Sequence, residues 1–193
     1  MQQLTRSDLL SLEQYARERD VFRARVLAHK KLRTIALGPN MTVIFEDRLS
    51  VQYQVQEMLR TERIFEAEGI AEELSAYNPL IPDGANWKAT LLIECPDPEV
   101  RQQRLAALKG VEHHCWAGIA GTPRCVAVAD EDLDRSNEEK TSAVHFLRFE
   151  LGAERVAAVR AGAALQLGVE HPQYPHVVTV SEESRLALVK DLS

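Results

Sequence analysis

The sequence predicts one α+β domain over residues 1–193, with N-terminal helices to about residue 80 and, from about 85 onward, a largely antiparallel sheet with flanking helices. Partial closure of the strands into a barrel is the open variant of that architecture. Three observations predict it. Apolar residues recur at helical spacing behind capping residues in the first part. Strand-forming runs bounded by turn residues dominate the second. No glycine–serine linker or fixed-period repeat divides the chain.

Ser7 precedes Leu9, Leu10, Leu12 and Tyr15, and Asp20 precedes Val21, Phe22, Val26 and Leu27, so two capped helices are expected first. Residues 33–37 and 41–46 are β-prone around Gly38-Pro39-Asn40, which predicts a hairpin. Residues 47–68 contain no glycine or proline and carry Val51, Val55, Met58 and Phe65 at helical steps, the pattern of the longest helix. A shorter helix over 70–77 stops at Asn78-Pro79 and the loop through Pro82-Asp83-Gly84. Strands are expected over 87–95, 113–119, 124–129, 143–149, 165–171 and 176–180, and helices over 99–108, 153–161 and 182–189.

Hydrophobic residues at 45% and charged residues at 27% are ordinary globular usage and exclude a disordered or collagen-like chain. The start lacks the charged and apolar pattern of a secretory leader and no apolar run reaches spanning length, so a cytoplasmic protein is expected. Cys95, Cys115 and Cys125 form no CxxC pair and no even set, which argues against disulfides or a zinc knuckle. With 23 basic and 29 acidic residues the net charge is −6, which opposes nucleic-acid binding. Residues 130–140 hold six acidic and two basic side chains without apolar periodicity, and read as a solvated loop.

Strand alternation puts Ala143, His145, Leu147 and Phe149 on one face, and His171 at the end of the apolar row Leu165, Leu167, Val169. His176 continues into Val178 and Val180, and the turn 172–175 would bring His171 and His176 together. A structural role suits any single histidine. Three converging imidazoles with an open position would suit zinc, non-haem iron or haem, so His145, His171 and His176 are the metal candidates. Glu57 and Arg60 can pair on the helix over 47–68, as a surface salt bridge or as part of an anion or cofactor pocket. His113 and Cys115 share a strand face, but that spacing alone says little of catalysis. GxGxxG, Walker, HExxH and GxSxG patterns are all absent.

Four segments, Tyr53–Arg60, Tyr77–Gly84, Thr141–Phe149 and Val169–Tyr174, together resemble the bacterial family catalogued as domain of unknown function 3501, and the likeness runs over nearly the whole chain. The positions falling in these segments are Gln56, Glu57, Arg60, His145, Arg148 and His171, whereas His113, His114 and the cysteines fall outside. The resemblance implies no named activity. It implies a setting beside rubrerythrin-like proteins and iron–sulfur oxidoreductases, hence peroxide or redox metabolism. Two readings follow: a metal- or haem-binding protein using the three histidines, with Glu57 or Arg60 orienting a ligand, or a non-catalytic module docking on a redox partner through its acidic loop.

Overall fold

The computed structural model describes residues 2–133, 135–137 and 139–193. Among the described residues the α-helices are α1 (Leu12–Lys31), α2 (Arg48–Glu62), α3 (Ala67–Tyr77), α4 (Pro98–Ala107), α5 (Gly152–Arg160) and α6 (Glu182–Val189). The strands are β1 (Thr34–Ala36), β2 (Met41–Glu46), β3 (Asn86–Ile93), β4 (Cys115–Ile119), β5 (Cys125–Val126), β6 (Val128–Ala129), β7 (Val144–Glu150), β8 (Leu165–His171) and β9 (Tyr174–Thr179). The fold is α+β, as the sequence predicts, and every strand pair is antiparallel.

The strands make two open sheets rather than a barrel, with orders β1-β2-β3-β7-β6 and β5-β4-β8-β9. The chain passes from the second sheet to the first at buried Ala127, between β5 and β6, so the expected strand over 124–129 is divided between two sheets. The inward rows Val43–Phe45, Trp87–Ala89–Leu91, Leu147–Phe149, Cys115–Ala117–Ile119 and Leu165–Leu167–Val169 share one core, which α4, α5 and α6 close with Leu105, Val159 and Leu188. A second, smaller core joins α2 and α3 through Val51, Val55, Leu59, Ile70 and Leu74, and takes in Leu4. Val51 and Gln54 of α2 face Ile44, Thr90 and Leu92 across a cleft, so this layer lies over the outer face of the first sheet.

Three sequence expectations change. The opening residues form a short 3₁₀ turn, Arg6–Asp8, and one 20-residue helix capped by Ser11; Asp20 is an exposed mid-helix residue and caps nothing. The stretch over 47–68 is two helices, because Arg63 takes a left-handed conformation (φ 56°) that ends α2. The longest helix is therefore α1. Residues Val111–His114 form a 3₁₀ turn before β4, which removes His113 from the strand face of Cys115.

Candidate metal centre

β7 keeps the alternation read from its sequence: His145, Leu147 and Phe149 are buried while Phe146 and Arg148 look outward. His145 has no exposed surface. Its Nδ1 donates to Asp130 Oδ2 at 2.6 Å. Asp130 follows β6 in a left-handed conformation (φ 50°) that aspartate tolerates. Its backbone N–H donates to Phe146 O at 2.9 Å and its Oδ1 accepts from Phe146 N at 2.9 Å. The carboxylate is thus locked to the strand that carries the imidazole.

The other ring nitrogen looks into a cage of oxygens. Nε2 lies 2.9 Å from Thr141 Oγ1, 3.1 Å from Ser142 O and 3.7 Å from Glu112 Oε2. Thr141 Oγ1 donates to Glu112 Oε2 at 3.2 Å, and Ser136 Oγ donates to Glu112 Oε1 at 2.9 Å. Glu112 is 3% exposed, brought in by the 3₁₀ turn ahead of β4, so the cluster joins the second sheet to the first. One donor atom each from Glu112, Asp130 and His145 lies within 4.8 Å of the others, the only such group of three His, Cys, Asp or Glu residues among the described residues.

The cage admits two chemical states. A ring that donates to both Asp130 and Ser142 O is an imidazolium between two carboxylates, a buried ion triad. Alternatively a cation takes the place of the Nε2 proton. Neighbouring donors on an ion with bonds of 2.0–2.2 Å stand roughly 3.0–3.6 Å apart, the scale of the spacings around Nε2. Asp130, on the far nitrogen, then fixes the tautomer and raises the basicity of the ring, as outer carboxylates do for metal-bound histidines.

The remaining sequence candidates lie elsewhere. His171 and His176 sit on β8 and β9 of the other sheet, and neither belongs to a three-donor group among the described residues. His171 stacks edge-on against His114 at 5.4 Å and its Nδ1 accepts from Gln173 N at 3.2 Å. His176 lies against Tyr174, with ring centroids 4.3 Å apart, beside the hairpin turn at Gly38. Glu57 and Arg60 pair at 3.3 Å, but Glu57 faces α1, where it accepts from Tyr15 Oη at 2.6 Å and from Arg19 Nε and Nη2 at 2.8 Å each. Burial pushes the Cys115 thiol up to about 12, which keeps it unreactive.

Much of the acidic loop is internally neutralised. Asp130 serves His145, Glu131 holds Arg148 through both oxygens, and Asp132 does the same with Arg135. Asp134 and Glu138, part of the same expected handle, lie outside the described residues. Sequence reading named His145 as a candidate and did not name Glu112, Asp130 or Thr141 as its neighbours. The only cue was that Thr141 and Ser142 open the same familiar segment as His145.

The family described as "Protein of unknown function (DUF3501)" matches residues 3–192. A crystal structure from Burkholderia pseudomallei K96243, described as a novel protein of unknown function, is 46% identical over 100% of both chains with a TM-score of 0.95. No curated protein matches the sequence. No helix among the described residues is long and apolar enough to cross a membrane.

Proposed function

This chain belongs to the DUF3501 family, proteins of unknown function, and from that premise we propose that it binds a divalent metal ion at His145. The observation that carries the reading is the buried Nε2 of His145, held by Asp130 from behind and aimed at Glu112, Thr141 and the Ser142 carbonyl. One imidazole among oxygen donors suits manganese, iron or zinc. Haem is disfavoured, because the His145 ring is wholly enclosed and leaves no room for a macrocycle beside it. His171, His176, Glu57 and Arg60 are not in this ligand set. Iron would accord with the redox setting, beside rubrerythrin-like and iron–sulfur proteins, that the family resemblance implies.

An ion at this centre would be held by the chain's own donors, His145 Nε2 and the Glu112 carboxylate first among them. Elemental analysis of the untagged chain, followed by titration of the apo form with Mn²⁺, Fe²⁺ and Zn²⁺, tests it. One ion per chain is expected, lost in both His145→Ala and Glu112→Gln. The second variant keeps one acceptor oxygen for Thr141 or Ser136, with the amide N–H free to donate to the other hydroxyl, but removes the ligand charge. Unchanged uptake by a folded Glu112→Gln chain would contradict the assignment. The reading as a module docking on a redox partner has less support, since Asp130, Glu131 and Asp132 already have arginine partners within the chain.

A further inference from the structure

The outer face of the first sheet carries a pocket of about 510 Å³, within the range of small-molecule sites. Its apolar wall is Tyr77, Pro79, Leu80 and Phe146, and its polar end holds Lys88 and Arg148. Two of the four segments that mark the family resemblance meet here, Tyr77–Gly84 from the helical layer and Thr141–Phe149 from β7. Tyr77, Leu80 and Phe146 also line a second cleft of about 260 Å³, which continues past Thr90 to Ile44, Leu92 and Val144. The two clefts adjoin as one groove through these shared residues, with Lys88 and Arg148 at one end, Lys30, Glu46 and Gln54 among the lining of the other, and apolar side chains between.

The charges at the polar end are not equivalent. Arg148 donates Nε and Nη2 to Glu131 at 2.8 and 2.9 Å, and Nη1 to Glu150 at 2.6 Å. Asp132, on the rim, is held by Arg135. The ammonium of Lys88, directly opposite Arg148 in the β3–β7 register, makes no side-chain hydrogen bond or ion pair among the described residues. Burial, and then the Arg148 guanidinium, hold its ammonium below the usual lysine range. A half-buried cation with no carboxylate in direct contact gains from an anion delivered by a ligand. Glu131 and Glu150 are held by Arg148, Asp132 by Arg135, Asp83 by Asn86 and the Ala85 N–H, and Glu46, across the β2–β3 register from Lys88, by Ser50 and Thr90, so an anion in contact with Lys88 is left for a ligand to bring.

We propose that this groove binds an amphipathic monocarboxylate, its carboxylate on Lys88 and its apolar tail along Tyr77, Leu80 and Phe146 toward Leu92 and Val144. The site is separate from the metal centre: Lys88 and Phe146 face the outer side of the sheet whose inner side carries His145.

Calorimetric titration of the full chain with sodium octanoate, and with octanol as the neutral control, tests the proposal. Octanoate is expected to bind at one saturable site, with octanol about tenfold weaker or more. Lys88→Met should weaken octanoate by a similar factor and leave octanol unchanged. On the wild-type chain, octanoate should also protect Lys88 from acetylation, read by peptide mass spectrometry, which keeps the test independent of how the variant folds. Equal affinity for octanol and octanoate, unaltered octanoate binding in Lys88→Met, an unprotected Lys88, or no saturable binding would each overturn it.

Discussion

Gly168 on β8 is paired with Trp116 on β4, and the indole lies flat across the glycine. A Cβ there would stand 2.1 Å from Trp116 Cζ2 and 2.3 Å from Cε2. The ring is also capped by Arg124, whose Cζ is 3.8 Å from the ring centroid, and is 3% exposed on what would otherwise be a solvent face. Gly168→Ala should therefore destabilise by about 1–3 kcal/mol, the usual range for forcing atoms into a packed site, measured as a lower denaturant midpoint at unchanged m-value. An unaltered midpoint would mean the indole has room to leave. At the same scale, period-2 alternation on β7 made the inward orientation of His145 legible. Its partners were not legible, because Glu112 sits on a 3₁₀ turn where no alternation applies and Asp130 looked like one acid among six. Burial of those carboxylates is decided by the meeting of two sheets, which local spacing does not encode.

Helix α2 owes its position to polar contacts as well as to Val51, Val55 and Leu59. Fully buried Gln56 accepts from Leu10 N at 2.6 Å, and Glu57 clasps Tyr15 and Arg19 of α1. The Arg19 guanidinium beside Glu57 is the main reason its carboxyl drops from 4.5 to about 2. Because the folded-state value lies below the unfolded one, the clasp contributes stability that is fully present above about 4.5 and lost as pH falls through about 2. The difference in denaturant midpoint between wild type and Glu57→Gln should shrink steadily across that window. A constant difference would contradict the clasp. The sequence showed that Glu57 and Arg60 are neighbours on one helix. It did not show that α1 covers Glu57, since buried Tyr15 and Val26 are too few to mark which face of α1 turns inward. The break at Arg63 was hidden for a similar reason: a left-handed cap usually announces itself with glycine or asparagine, and here an arginine takes that conformation.

Across the whole molecule, the helical layer, the first sheet and α6 are tied by Arg33, 1% exposed, which follows α1. Its Nε donates to Phe45 O at 3.2 Å and its Nη1 to Ala187 O of α6 at 3.2 Å, and it pairs with Asp191 and, at 3.7 Å, with Asp47. Burial pushes the Asp191 carboxyl up to about 7 against the pull of that guanidinium. A charged tie this deep couples the layers, so helical circular dichroism and the fluorescence of Trp87 and Trp116, both in the sheets, should follow one unfolding transition. Two separated transitions would mean the helical layer melts alone. The Glu112–His145 cluster is a second tie, because Glu112 enters from the turn before β4 of the second sheet and His145 from the first; under the proposed metal binding, an ion bound only by the folded chain should raise the midpoint with concentration. The most direct test is an anomalous difference map from a crystal of the chain soaked in Mn²⁺. A peak is predicted within roughly 2.0–2.3 Å of His145 Nε2 on the side facing Glu112; a map with no peak there at saturating metal, or with its strongest peak at His171 or His176, would contradict the centre.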